Sequence, residues 1–151
     1  YTYAMRYRGR EFTAGRVTYL FDGDHLWYAL PSGRVLRYPY ARIEQDGGIT
    51  YAKAAWKPKA DATEWPRAKL WAGLACENVT QATAHDLLRH TLRLVAPWAV
   101  LHVHDEVVLE VPIESAEGWK ARLRDTMCAA PAWADGLPLA ASVKIMTRYG
   151  K

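Results

Sequence analysis

A chain of 151 residues, half of them hydrophobic, is long enough for one ordinary domain or two small lobes with a real core. It has no run of about 18 apolar residues, which argues against a membrane span, and no signal peptide where Arg6, Arg8 and Arg10 alternate with other residues. The net charge of +4 is unevenly placed: residues 1–70 carry 12 Lys/Arg against 7 Asp/Glu, or +5, and residues 71–151 carry 8 against 9, or −1. A basic first half beside a carboxylate-bearing second half suits a polyanion held near a metal site. Cys76 and Cys128 fit no metal or redox spacing and read as buried free thiols of a reducing cytosol. Opening on Tyr1 rather than Met, the chain reads as a piece of something longer.

Residues 1–16 show no clean period. From Arg16 the pattern becomes β. Val17–Phe21 is apolar and ends at the turn signal Asp22-Gly23-Asp24. His25–Leu30 is a second strand, closed by Pro31-Ser32-Gly33, and Arg34–Tyr38 a third. Arg42–Gln45 and Ile49–Lys53 read as a fourth and fifth, joined across Asp46-Gly47-Gly48. Together they predict a small antiparallel meander whose aromatic residues pack its faces. Arg34, Arg37 and Arg42 are among the basic residues interleaved with Tyr and Trp.

Lys57–Ala62, a polar connector with a proline, is the expected boundary between a β-rich lobe, 1–62, and a second part, 63–151. Glu64–Pro66 is read as opening a helix that runs to about Val95, with Pro66 near its start. Leu70, Leu74, Val79, Leu87, Leu88 and Leu92 supply part of an apolar stripe, and Pro97 ends the helix. Asn78, Gln81 and His85 fall three and four apart, on one face. That spacing also describes a solvated polar face. A second helix is expected over about Ser115–Ala129, striped by Trp119, Leu123 and Met127. Leu139–Thr147 alternates and reads as a strand returning to the sheet. The second part is thus helix, hairpin, helix, strand. The fold class is α+β, with helices packed on an antiparallel sheet.

The most informative stretch is Trp98–Pro112. Two apolar runs, Ala99–Val103 and Val107–Val111, flank His104-Asp105-Glu106, the expected hairpin tip. Adjacent carboxylates at the end of a sheet suggest a hard cation such as magnesium, which prefers oxygen ligands. A solvated turn would look the same. His102 and His104 would share one face of a regular strand and with Asp105 suggest a zinc metallohydrolase. The remaining histidines, His25, His85 and His90, complete no zinc motif with them.

His104-Asp105-Glu106 between two apolar strands resembles the third conserved motif of the family A DNA polymerases, the DNA polymerase I family. The segment Glu77–Leu88, with Gln81, Ala84 and Asp86 in a Q-x-x-A-x-D pattern, resembles the helix that precedes that motif, at a fitting distance. Leu30-Pro31-Ser32-Gly33-Arg34 with Tyr38, then Ile49-Thr50-Tyr51, is similar to the phage-encoded branch. The resemblance covers most of residues 17–151.

It implies a palm-type antiparallel sheet and template-directed nucleotidyl transfer by a two-magnesium mechanism in the intact enzyme. Asp105 would be one of two aspartates that bind the catalytic magnesium ions. Glu106 would be an accessory carboxylate near the metals, and His104 would sit by the primer terminus. Gln81 would touch the minor groove of the new base pair, with Asn78 doing similar work. Every Watson–Crick pair presents an acceptor at similar minor-groove positions, so an amide donor can check pair shape without reading sequence. His85 departs from the arginine often found in phage relatives, so no DNA contact is assigned to it.

The family's earlier motif, D-Y-S-x-x-E-like, and its fingers helix, K-x-x-x-(F/Y)-G-like, do not occur. Asp22, Asp24 and Asp46 sit in turn contexts and match neither. The resemblance therefore implies a C-terminal piece, half a palm preceded by a β-rich lobe and inactive alone. Its partners would be primer-template DNA, deoxynucleoside triphosphates and the rest of the polymerase chain, in the cytoplasm of a bacterial or phage-infected cell. The competing reading is a non-catalytic nucleic-acid-binding polymerase remnant.

Overall fold

In the computed structural model, residues 1–54 and 65–150 are described, and they build an α+β fold with antiparallel sheets. The backbone divides into two compact units, Tyr1–Gln81 and Ala82–Lys151. The connector Lys57–Ala62 lies outside the described residues.

The first unit opens with a short helix, α1 (Thr2–Arg6), and a strand, β1 (Glu11–Ala14), in the stretch that shows no period in the sequence. Helix α1 is too short to display a repeat, but it buries Ala4 and Met5. Strand β1 is an edge strand, with three of its four residues exposed, so it carries little apolar alternation. It pairs with β2 (Val17–Phe21), followed by β3 (Leu26–Ala29) and β4 (Val35–Tyr38) in a four-stranded sheet of sequential order. The chain then leaves the sheet at Pro39-Tyr40. Proline has no N–H to donate to a ladder, and Tyr40 is in the left-handed region at φ 49°. The expected single meander is accordingly two sheets. β5 (Arg42–Ile43), β6 (Ile49–Ala52) and β7 (Arg67–Leu70) form the second, in that order.

Strand β7 corrects the expected helix start. Arg67–Leu70 pairs with Ile49–Ala52, and the carbonyl of Pro66 accepts a hydrogen bond from Lys53 N–H at 2.9 Å. Leu70 is buried in this strand and takes no part in a helical stripe. Helix α2 runs over Ala72–Val95 and ends, as Pro97 requires, in a 3-10 turn at Ala96–Trp98. Cys76, expected to be buried, is exposed on this helix, and Cys128 is half-buried; both are free thiols.

A stack of tyrosines forms much of the core of the first unit. Tyr19 and Tyr28 are cross-strand partners with ring centroids 6.2 Å apart, and Tyr28 and Tyr38 lie at 5.2 Å. Tyr51 meets Tyr38 edge-on at 5.0 Å. All but Tyr51 are buried, and burial raises the pKa of the Tyr28 and Tyr38 hydroxyls above the ordinary phenol value. Aromatic pairs in these offset and edge geometries are each worth about 0.5–1.5 kcal/mol beyond the area they bury.

The second unit is built on β8 (Ala99–Val103), β9 (Glu106–Leu109) and α3 (Ala116–Cys128), together with the later part of α2. A two-stranded hairpin alone is marginally stable, so it needs an apolar partner. Leu88 and Val95 of α2, Val107 of β9 and Leu123 of α3 provide that core, with Leu92, Leu109, Met127 and Val143 packed around it. Trp119 of the expected stripe packs against Trp98 at a tilt of 50°, with ring centroids 4.3 Å apart, and the Arg122 guanidinium lies over both rings.

Leu139–Thr147 is not a strand. Its alternation is real in burial, since Leu139, Ala141 and Val143 are half-buried between exposed neighbours. Alternation secures one covered side, but a strand also needs a ladder partner. Among the described residues β8 and β9 pair only with each other.

The loop between β2 and β3 contains a carboxylate held well below its ordinary pKa. Asp22 accepts hydrogen bonds from the backbone N–H of His25 (2.7 Å), the indole N–H of Trp27 (2.6 Å) and the N–H of Asp24 (2.8 Å). The His25 bond, then the Trp27 bond, hold its pKa down at about 2. A depressed folded-state value means that the stabilisation is complete above the ordinary carboxyl range and drains as pH falls towards about 2. Asp22→Asn is therefore expected to flatten the acid side of the stability profile between about pH 4 and about pH 2. Urea midpoints of the two chains across that window check it, and parallel profiles would refute it.

Candidate active site

The residues expected to carry chemistry fall in both units. In the second, the register Val103↔Glu106 leaves His104 and Asp105 as a two-residue turn. Glu106 is thus the first residue of β9 and not part of the tip. His104 sits at φ 53° and Asp105 at negative φ, the φ pattern of a type II′ turn, whose first position favours glycine. A left-handed conformation costs a residue with a Cβ about 1–2 kcal/mol. Backbone strain of this kind clusters at functional sites. The turn lifts Asp105 and His104 into solvent; both are exposed.

Glu106 is half-buried, and one of its carboxylate oxygens accepts a hydrogen bond from the Tyr149 hydroxyl at 3.3 Å. Nothing local in the sequence signals that partner, which lies 43 residues away. His102 stands opposite Val107 in the ladder, whereas His104 is in the turn, so the two histidines do not share the strand face that a zinc pair would need. Among the described residues no group of three His, Cys, Asp or Glu side chains is arranged to hold a metal ion. Asp105 and Glu106 nonetheless fit part of a magnesium site. That ion is held by one or two carboxylates, with substrate phosphates and water completing its shell.

The hairpin also contains a β-bulge. The register passes from Ala99↔Leu109 to Leu101↔Val108, so Val100 is an extra residue without a partner. Ala99 consequently packs on the core, while Leu101, two residues on, belongs to the other face and is exposed.

In the first unit, α2 presents Asn78 half-buried and Gln81 exposed. The Asn78 amide donates to the Tyr38 hydroxyl at 3.0 Å, which ties the helix to the tyrosine stack. Gln81 donates to Glu77 one turn back at 3.0 Å. His85 is exposed in the second unit's part of the helix, and Asp86 beside it is buried and partnered. Side-chain capacity remains at both amides: each retains an N–H and its carbonyl oxygen beyond the bond described.

Against this geometry stands one similarity. The chain is 34% identical over 138 residues to a DNA polymerase of Bacillus phage SP02. It is related to a DNA polymerase. The match covers 89% of this chain and 21% of the phage protein, so the chain spans about a fifth of that polymerase's length. No family model matches the chain, and no solved structure matches it. No helix among the described residues is long and apolar enough to cross a membrane.

If the strain at His104 is kept for function, removing it should stabilise the fold. His104→Gly is expected to raise unfolding free energy by about 1 kcal/mol. Thermal and urea denaturation read the change; a loss of stability would show that the imidazole itself supports the turn.

Proposed function

We propose that this chain is the C-terminal palm piece of a DNA-directed DNA polymerase of the family A, phage-type branch, with Asp105 as a metal-binding carboxylate of the intact enzyme. The observation that carries the reading is the 34% identity to the phage polymerase across 89% of the chain. Its support in the geometry is a carboxylate raised on a strained turn between two apolar strands.

On this reading each residue has a distinct task. Asp105, exposed at the tip, binds the catalytic magnesium together with an aspartate from the rest of the parent chain. The metal supplies charge stabilisation at the attacking and leaving oxygens. Glu106, steadied by the Tyr149 hydroxyl, is the accessory carboxylate and adds negative charge beside Asp105. His104 reaches the primer terminus from the first turn position. Gln81 offers its free N–H to the minor-groove acceptors of the newest base pair, and Asn78 does similar work from a position fixed by Tyr38. Primer-template DNA and deoxynucleoside triphosphates are the substrates.

In the intact polymerase, Asp105→Asn is expected to lower primer extension by about 10²- to 10³-fold with DNA affinity unchanged. Extension at the parental rate would remove Asp105 from the metal site. Among the described residues no three His, Cys, Asp or Glu side chains are grouped to hold a metal ion, and the family's earlier aspartate motif does not occur, so the 151-residue chain alone is expected to extend no primer. Magnesium-dependent incorporation by the purified chain would show that it holds a complete site.

A further inference from the structure

The second sheet of the first unit has two chemically opposite faces. Directly opposed residues lie on the same side of an antiparallel sheet. The register therefore places Ile43, Ile49, Tyr51, Ala68 and Leu70 on one face, with Ile49 and Leu70 buried. The other face carries Arg42, Thr50, Ala52, Arg67 and Lys69. Three cations thus project from one small sheet surface.

A cleft of about 570 Å³ opens on that cationic face. Arg37, Arg42 and Arg67 line it, with His25, Tyr40 and Trp65. Arg67 is built into the wall: Nη1 donates to the Tyr40 carbonyl at 2.8 Å, and Nη2 and Nε donate to the Thr50 hydroxyl at 2.6 and 3.1 Å. These acceptors are uncharged. Glu44 approaches through its hydrogen bond with Thr50, but neither Arg42 nor Arg67 forms an ion pair among the described residues. Burial, then the neighbouring Arg42 charge, lowers the pKa of Arg67.

The aromatic residues are set out rather than in. Tyr40 is 56% exposed although the backbone is strained to place it, and its N–H donates to His25 Nδ1 at 3.2 Å. The two rings meet edge-on at 5.0 Å, which fixes the tyrosine plane at the rim. Trp65 is 59% exposed. Cations along strands beside open aromatic rings are the combination that binds unpaired bases together with their backbone. Arg67 and Lys69 are two residues apart along β7, about 6.8 Å, a separation that suits neighbouring phosphates better than one isolated anion.

We infer that the cationic face of β5–β6–β7 and its cleft seat a single-stranded nucleic acid, with phosphates on Arg42, Arg67 and Lys69 and a base against Tyr40 or Trp65. The inference rests on charge and register, and it goes beyond the hairpin chemistry proposed above. A duplex buries the faces of its bases and would use the cations alone. A free nucleotide would use the cleft without Lys69.

The test is fluorescence anisotropy of the purified 151-residue chain with a labelled oligothymidylate of roughly 12 nucleotides and a duplex of equal length, over a salt series. Arg42→Gln with Lys69→Gln alters two exposed side chains. The pair is expected to weaken single-strand binding by about tenfold and to reduce the salt slope by about 1.4, from 0.7 per phosphate contact. Trp65→Ala is expected to weaken single-strand binding by about 5-fold or more, with the salt slope and duplex binding unchanged. Parental single-strand affinity in both variants would overturn the inference. So would competition by free dTTP that depends on Arg42 but not on Lys69. No readout involves primer extension, so failure here leaves the nucleotidyl-transfer reading standing, and failure there leaves this one.

Discussion

The hydrogen bond from the Asn78 amide to the Tyr38 hydroxyl is the constraint on which the first unit depends. Tyr38 ends β4, stacks on Tyr28 and receives Tyr51 from the second sheet. Its hydroxyl would be a poorly placed polar group in so apolar a stack without a partner. The Asn78 amide is one of its hydrogen-bond partners and the Tyr28 hydroxyl another, and the amide bond ties the first turns of α2 to the stack. Gln81 follows three residues later, close to the same side of the helix, and is exposed.

The sequence made the hairpins legible because each has short-range punctuation. Pro31-Ser32-Gly33 closes β3 to β4, with Gly33 at φ 83° where a side chain would be strained, and its N–H returns to the Leu30 carbonyl. The apolar runs flanking His104-Asp105 mark β8 and β9 in the same way. Helix α2 was legible in its extent towards Val95 but not in its start. Arg67–Leu70 carries too few apolar residues to announce a strand, and its partner, β6, lies upstream across the chain segment that includes the connector. Leu139–Thr147 fails in the opposite sense, since its alternation is genuine and its ladder partner is missing among the described residues.

The candidate residues divide along the same line. Asp105 and Glu106 stand out in the sequence because charge interrupts an apolar run, and a single chain carries that signal unaided. The Tyr149 hydroxyl on Glu106 and the commitment of Asn78 to Tyr38 are long-range facts of folding. The cationic sheet face is intermediate. Its arginines are visible as residues, but they become one surface only through the pairing of Arg42 with Thr50 and of Thr50 with Lys69.

The bulge at Val100 has a consequence for strand addition. A hairpin whose outer backbone groups meet no neighbour is a template on which another chain can add a strand. A regular β8, with apolar residues along it, would be a ready site for such growth into aggregates. The unpaired Val100 breaks the repeat of the ladder and bends the strand, so an incoming strand cannot follow β8 in register past that point. Among the described residues β8 and β9 have no further ladder neighbour, and the surplus residue interrupts the regular repeat that strand addition would follow.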